Sequence, residues 1–230
     1  LKINRIELTG RWSFKIPVIV LCAYFLVIFP CTQLFFRINP WLYKYSDDMF
    51  LAVVVVLLLT VFNIKLSALG FSTRYLKQNL VIGMAAGAGV LLCLSLLETG
   101  LIITGLEEHE LLAGKVKDNY LFDISTLPEK SVEIFLIPLI EQIFYTGFLL
   151  QSLLKKYNPI PSIYAVGLIY TIIGVKLSLG SFGLNIGTSL LFKITGSLYA
   201  SILFHMGCAL GGALVENVYP RLTTLLMFLW

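Results

Sequence analysis

Apolar residues run in long blocks along the chain, broken by short polar stretches, and the blocks have the length of membrane-crossing helices. A helix needs about 17–25 residues to cross the hydrocarbon core of a bilayer. Runs of that length are read at Ile16 to Phe36, Met49 to Leu69, Leu80 to Thr104, Val132 to Leu154, Ser162 to Leu179 and Ser197 to Val215. Phe182 to Phe192 is shorter and interrupted by glycine, and is read as a half-span; Leu222 to Trp230 is a terminal fragment too short to cross alone. No period of repetition and no linker-like tract divides the chain. The pattern predicts an all-α fold: one integral-membrane domain over 1–230, a polytopic helical bundle of about six to eight helices, with a basic, amphipathic segment at 1–15.

Composition agrees. Hydrophobic residues make up 58% of the 230 residues and charged residues 13%, against about 25% charged in soluble domains. With a mean hydropathy of +0.88, too little polar surface remains to cover a soluble globule. The net charge of +4 is scattered, without a basic run, so nucleic acid is not an expected partner. The lipid bilayer and other integral membrane proteins, as partners or substrates, are. Lys and Arg weigh towards the side of the N-terminus, which predicts that this end is cytoplasmic. Lys2, Arg5, Arg11 and Lys15 precede the first run with no small-residue cleavage site after it, so that run is read as a retained span. Trp12, Trp41, Tyr43 and Tyr45 stand at span edges as interfacial anchors.

Candidate chemistry is confined to few side chains. Cys22, Cys31, Cys93 and Cys208 lie in apolar runs without metal or redox spacing, and read as packing residues. His109, among Glu107, Glu108 and Glu110, lies in a solvated acidic loop rather than a ligand set, so no cofactor or metal is expected. Small residues at Gly83, Gly87, Gly89, Gly207 and Gly211 would let helix backbones approach closely. An ionisable group near the bilayer centre costs roughly 2.5–3.5 kcal/mol on insertion scales. Glu98 and Glu133 sit near span ends, from which they can reach the interface; Glu141 and His205 are central and cannot.

Pro138 lies three residues ahead of Glu141 and lacks the N–H of a helical hydrogen bond, so it should kink the span and open room and free carbonyls beside the carboxyl group. Ser197, Ser201 and His205 follow at four-residue spacing, one polar stripe looking inward. Glu141 and His205 on facing helices could activate a water as general base and electrostatic partner. They could equally form a buried pair that holds the bundle together. The HExxH zinc motif is absent, Ser201 and His205 share one helix, and no Asp lies inside any of these spans. Zinc, serine and aspartyl protease sites are therefore set aside.

Two stretches resemble motifs of the CAAX protease and bacteriocin-processing family, also called CPBP or Abi and including the CAAX prenyl protease 2-like enzymes. These are intramembrane glutamate proteases. The first family motif is two glutamates, three residues, then arginine and glycine. Here Pro138, Glu141, Gln142, Ile143, Phe144, Tyr145, Thr146 and Gly147 keep the first glutamate and the glycine, with Gln142 and Thr146 at the second glutamate and the arginine. The last family motif is a histidine followed four residues later by asparagine, after a phrase close to Thr195-Gly196-Ser197-Leu198-Tyr199. This chain keeps His205 and has Ala209 at the asparagine. The intervening family histidine falls at Gly174, in the register that starts at Tyr170. The resemblance covers roughly residues 130–215.

It implies that Glu141 would activate water with the help of a histidine, while His205 and an asparagine would form an oxyanion site. With Gln142, Thr146, Gly174 and Ala209 in place of family residues, only Glu141 and His205 remain of the catalytic set. The expected function is a non-proteolytic pseudoprotease that binds membrane partners as an assembly or scaffold subunit. The alternatives are an active glutamate-dependent intramembrane endopeptidase and a component of a membrane carrier, since buried Glu and His can also relay protons.

Overall fold

Asn39 starts a helix that hydropathy alone places further on, at Met49. Its Oδ1 accepts from the backbone N–H of Trp41 and Leu42 at 3.0 and 3.3 Å, and Pro40 supplies a first helical residue with no N–H to satisfy. In the computed structural model, which describes residues 15–34, 36–105, 127–173, 178–217 and 222, this helix is the second of a helical bundle. The helices are α1 (Lys15–Leu34), α2 (Pro40–Thr60), α3 (Leu76–Ile103), α4 (Pro128–Leu154), α5 (Pro159–Ile173), α6 (Leu179–Thr195) and α7 (Leu198–Asn217). No strand occurs among the described residues.

α1, α3, α4 and the Leu198–Val215 part of α7 are long and apolar enough to cross a membrane, and α5 is a shorter apolar helix. Leu26, Ile38, Ile103 and Ile160 are largely exposed, as expected of side chains that meet lipid rather than water. The chain is an integral membrane protein with the all-α bundle that its hydropathy predicts.

Two further boundaries differ from the hydropathy reading. The run Met49 to Leu69 is not one helix: α2 ends at Thr60, Asn63 takes a positive φ of 50°, and Leu66–Leu69 form a separate 3-10 turn ended by Gly70 at φ 104°. Apolar content continues through this turn because Leu69 is fully buried, and composition cannot show the break. The half-span at Phe182 to Phe192 lies inside a continuous 17-residue helix, α6. Glycine does not break it, because Gly187 gives room to the Phe204 ring; a Cβ there would stand 2.8 Å from that ring.

Close backbone approach organises the rest. α3 and α7 make the most extensive helix contact in the bundle. They cross at Gly87 and Gly207, where a Cβ on Gly207 would lie 2.5 Å from the Gly87 Cα. Gly70 accepts from the backbone N–H of Leu198 at 2.9 Å, which ties the turn after α2 to the start of α7. Tyr24 of α1 donates to the carbonyl of Ile173 at 2.6 Å, and Thr32 donates to Ser46 of α2 at 3.0 Å.

α4 is the central element. Every residue from Gln142 to Leu153 is buried, including Phe144, Tyr145, Phe148 and Leu150. A helix apolar all round has no face to offer to solvent and belongs inside. Its winding changes along its length, with π-turns at Val132–Leu136 and Ile143–Leu150 on either side of an α-helical stretch at Ile137–Gln142. Pro138 stands at the first change, where its missing N–H is least costly. At the other end of the helix Glu133 meets Lys44 at 2.6 Å and Lys130 at 3.2 Å. Burial opposes the Lys44 charge, but Glu129 and Glu133 hold its ammonium above the usual lysine range. Glu133 is thus paired with two lysines. Glu98 is buried, at 8% exposure.

Candidate functional site

The altered winding of α4 presents Glu141 and Gln142 to α5 and α7, and a chain of polar contacts runs through them. Tyr170 of α5 donates its hydroxyl to Glu141 Oε2 at 3.0 Å. The same oxygen lies 3.5 Å from His205 Nε2 on α7. Gln142 Nε2 is 3.0 Å from His205 Nδ1, and Thr146 Oγ1 donates to Gln142 Oε1 at 2.6 Å. Gln142 and Thr146 are wholly buried, and the side chains of His205 and Glu141 are 6% and 15% exposed.

Proton positions follow from this geometry. Thr146 is a donor to Oε1, which leaves the Gln142 amide nitrogen to donate to Nδ1. A neutral imidazole that accepts at Nδ1 carries its proton on Nε2, and that N–H faces Glu141. Glu141 Oε2 is therefore approached by two donors, the Tyr170 hydroxyl and the His205 N–H. The ring of Tyr170 is itself held edge-on by Tyr145, with centroids 4.9 Å apart, so its hydroxyl is aimed by packing.

Positions 142 and 146 lie one turn apart on α4, and side chains at that spacing face each other. The family pattern puts an acid and a base there. This chain has a neutral amide and a hydroxyl, and they form a hydrogen bond in place of an ion pair. A neutral pair avoids the desolvation cost of two buried charges. Of the other substituted positions, Ala209 lies one turn beyond His205 on α7 and offers only a methyl group. Gly174 lies outside the described residues, as do His109 and its acidic loop. Among the described residues no three His, Cys, Asp or Glu side chains gather as a metal-binding group.

The sequence-predicted pair Glu141 and His205 is thus brought together. Thr146 acts as the group that orients Gln142, a role its position alone did not suggest. On α6, Asn185 and Ser189 are fully buried polar residues that hydropathy reading passed over. The available signal was the spacing of Asn185, Thr188 and Ser189, which is helical and polar within an apolar run.

Residues 127–211 match the family model of type II CAAX prenyl endopeptidase Rce1-like proteins. This is the family whose motifs the sequence resembles, and the match spans both motifs and the helices between them. Within this integral membrane protein, residues 127–211 are accordingly similar to a family of CAAX prenyl endopeptidases. No match was found among curated proteins or among solved structures.

Proposed function

We propose that the chain is a divergent, non-proteolytic member of this family that binds other integral membrane proteins as an assembly or scaffold subunit. The observation that carries this reading is the engagement of His205 at both ring nitrogens, by Gln142 at Nδ1 and towards Glu141 at Nε2. The family resemblance gives the last histidine a different task, to stabilise an oxyanion together with an asparagine. Here the imidazole is turned to the carboxylate, and Ala209 supplies no donor. Loss of a single oxyanion donor costs about 10²–10³ in rate. What remains joins α4, α5 and α7 by buried hydrogen bonds, which gives the bundle a fixed shape for partners to bind.

A second reading is an active glutamate-dependent endopeptidase. It is favoured by the 3.5 Å approach of His205 to Glu141, since a carboxylate and an imidazole at that distance can share the work of activating water. Peptide cleavage by the purified chain in lipid, beside its Glu141→Gln variant, separates the two. The first reading expects no Glu141-dependent cleavage; cleavage abolished by Glu141→Gln would overturn it in favour of the second.

A further inference from the structure

Asn185 of α6 is wholly buried, and neither its Nδ2 nor its Oδ1 has a hydrogen-bond partner among the described residues. One turn further on, the Oγ of Ser189 is equally buried and equally without a partner. Buried polar groups are nearly always hydrogen-bonded, and each exception asks for a ligand or a reason.

Contacts on both flanks of α6 fix where these residues point. Phe182 and Ile186 lie against Gly167 of α5, while Gly187 lies against Phe204 of α7 and the carbonyl of Thr188 accepts from Ser201 of α7 at 2.7 Å. Asn185 and Ser189 are about 40° apart around the helix and fall between those flanks. They therefore face the interior between α5 and α7, where α6 touches the π-wound part of α4.

Depth follows from the same contacts. α6 and α7 run antiparallel, with Thr188 opposite Ser201 and Gly187 opposite Phe204. Continuing this register puts Asn185 opposite Phe204 and His205. On α4, Gly147 lies near the Leu198 side chain, and the antiparallel register brings Gln142 to His205, as their hydrogen bond shows. Asn185 thus stands at the depth of Glu141, Gln142 and His205 in the bundle.

We propose that Asn185 and Ser189 bind a water molecule beside the Glu141–His205 pair, so that α6 completes the site begun by α4, α5 and α7. The ligand must both accept, from Nδ2, and donate, to Oδ1, and it must fit where these atoms are closed to the outside. Water meets both conditions, and a buried water makes about three hydrogen bonds, the number that Nδ2, Oδ1 and the Ser189 hydroxyl supply. The binding of this water does not depend on whether the chain cleaves peptides. In a non-proteolytic chain it is a joint between helices; in a hydrolytic one it would lie within the centre that holds Glu141.

The test is a structure of the full chain in lipid nanodiscs, at a resolution that shows waters, for the natural sequence and for Asn185→Leu. The expected result is an ordered water within about 2.6–3.2 Å of Asn185 Nδ2 or Oδ1 that is lost in Asn185→Leu while the Glu141–His205 contact persists. A natural chain whose Asn185 amide bonds directly to another side chain, or a water that stays in Asn185→Leu, would overturn the proposal. Should Asn185→Leu fail to fold, infrared difference spectra of the natural chain in H₂¹⁶O and H₂¹⁸O decide the matter. An isotope-shifted O–H band from a slowly exchanging internal water is expected, and its absence would overturn the proposal.

Discussion

Gln142 holds His205 in place, with its amide nitrogen 3.0 Å from Nδ1 and its amide oxygen accepting from Thr146 at 2.6 Å. The two residues that depart from the family motif on α4 are thus joined to each other and to the histidine the motif retains. Their substitutions form a matched pair: a charge at either position alone would stand in a buried site without its counter-ion.

This pairing has a direct test. Gln142→Glu puts a second carboxylate next to Glu141 with threonine where the family has arginine. An uncompensated buried charge costs about 3–5 kcal/mol, and stability in detergent should fall by that order. Thr146→Arg alone should do comparable damage. The double variant should recover at least about 1 kcal/mol relative to the sum of the two. Additive losses in a chemical denaturation cycle would mean that the positions are not coupled.

Tyr170 is the second support of Glu141. Tyr170→Phe keeps the ring against Tyr145 and deletes only the hydroxyl that donates to Oε2. A hydrogen bond to a charged group contributes about 1.5–3 kcal/mol, and that is the expected loss. Tyr164→Phe, on a half-exposed ring of the same helix, serves as the control and should change stability by less than about 0.5 kcal/mol. Equal effects of the two variants would contradict the contact.

How much of this was legible in the chain depends on the physical signal each residue leaves. Long apolar runs declare α1, α3 and α4, since lipid requires the length. Glu141 and His205 stand out because a charge at membrane depth demands a reason. The break after Thr60 was hidden because Leu66–Leu69 are as apolar as a helix, although Asn63 and Gly70 are the residues that left-handed backbone favours. The continuity of α6 was hidden in the opposite way: Gly183 and Gly187 lower local helix propensity, but Gly187 is kept for its packing on Phe204. Asn185 and Ser189 carry no charge, and only their burial without a hydrogen-bond partner among the described residues sets them apart. The Gln142–Thr146 bond was implicit in a four-residue spacing, but which atoms meet depends on the π-winding of α4, and no propensity gives that.

The crossing of α3 and α7 makes a further prediction. Gly207→Ala would push a Cβ into the Gly87 backbone, which cannot yield as a side chain tip would. Overpacking of this kind costs about 1–3 kcal/mol. Gly89→Ala, where nothing lies within 4 Å of an added Cβ, should leave stability within about 0.5 kcal/mol or raise it slightly through helix propensity. Thermal unfolding of both variants in one detergent checks the contrast, and a Gly207→Ala chain as stable as the natural one would refute the close crossing.

Purification from native membranes in mild detergent tests the central claim most directly, with the natural chain and Glu141→Gln run side by side and every co-purifying chain identified and counted. A scaffold or assembly subunit should bring down the same intact membrane partners, near stoichiometric, in both samples, because the amide introduced by Glu141→Gln still accepts from Tyr170 and preserves the shape of the bundle. Uncleaved chains accumulating only with Glu141→Gln would be trapped substrates, and would show that the carboxylate cuts rather than holds.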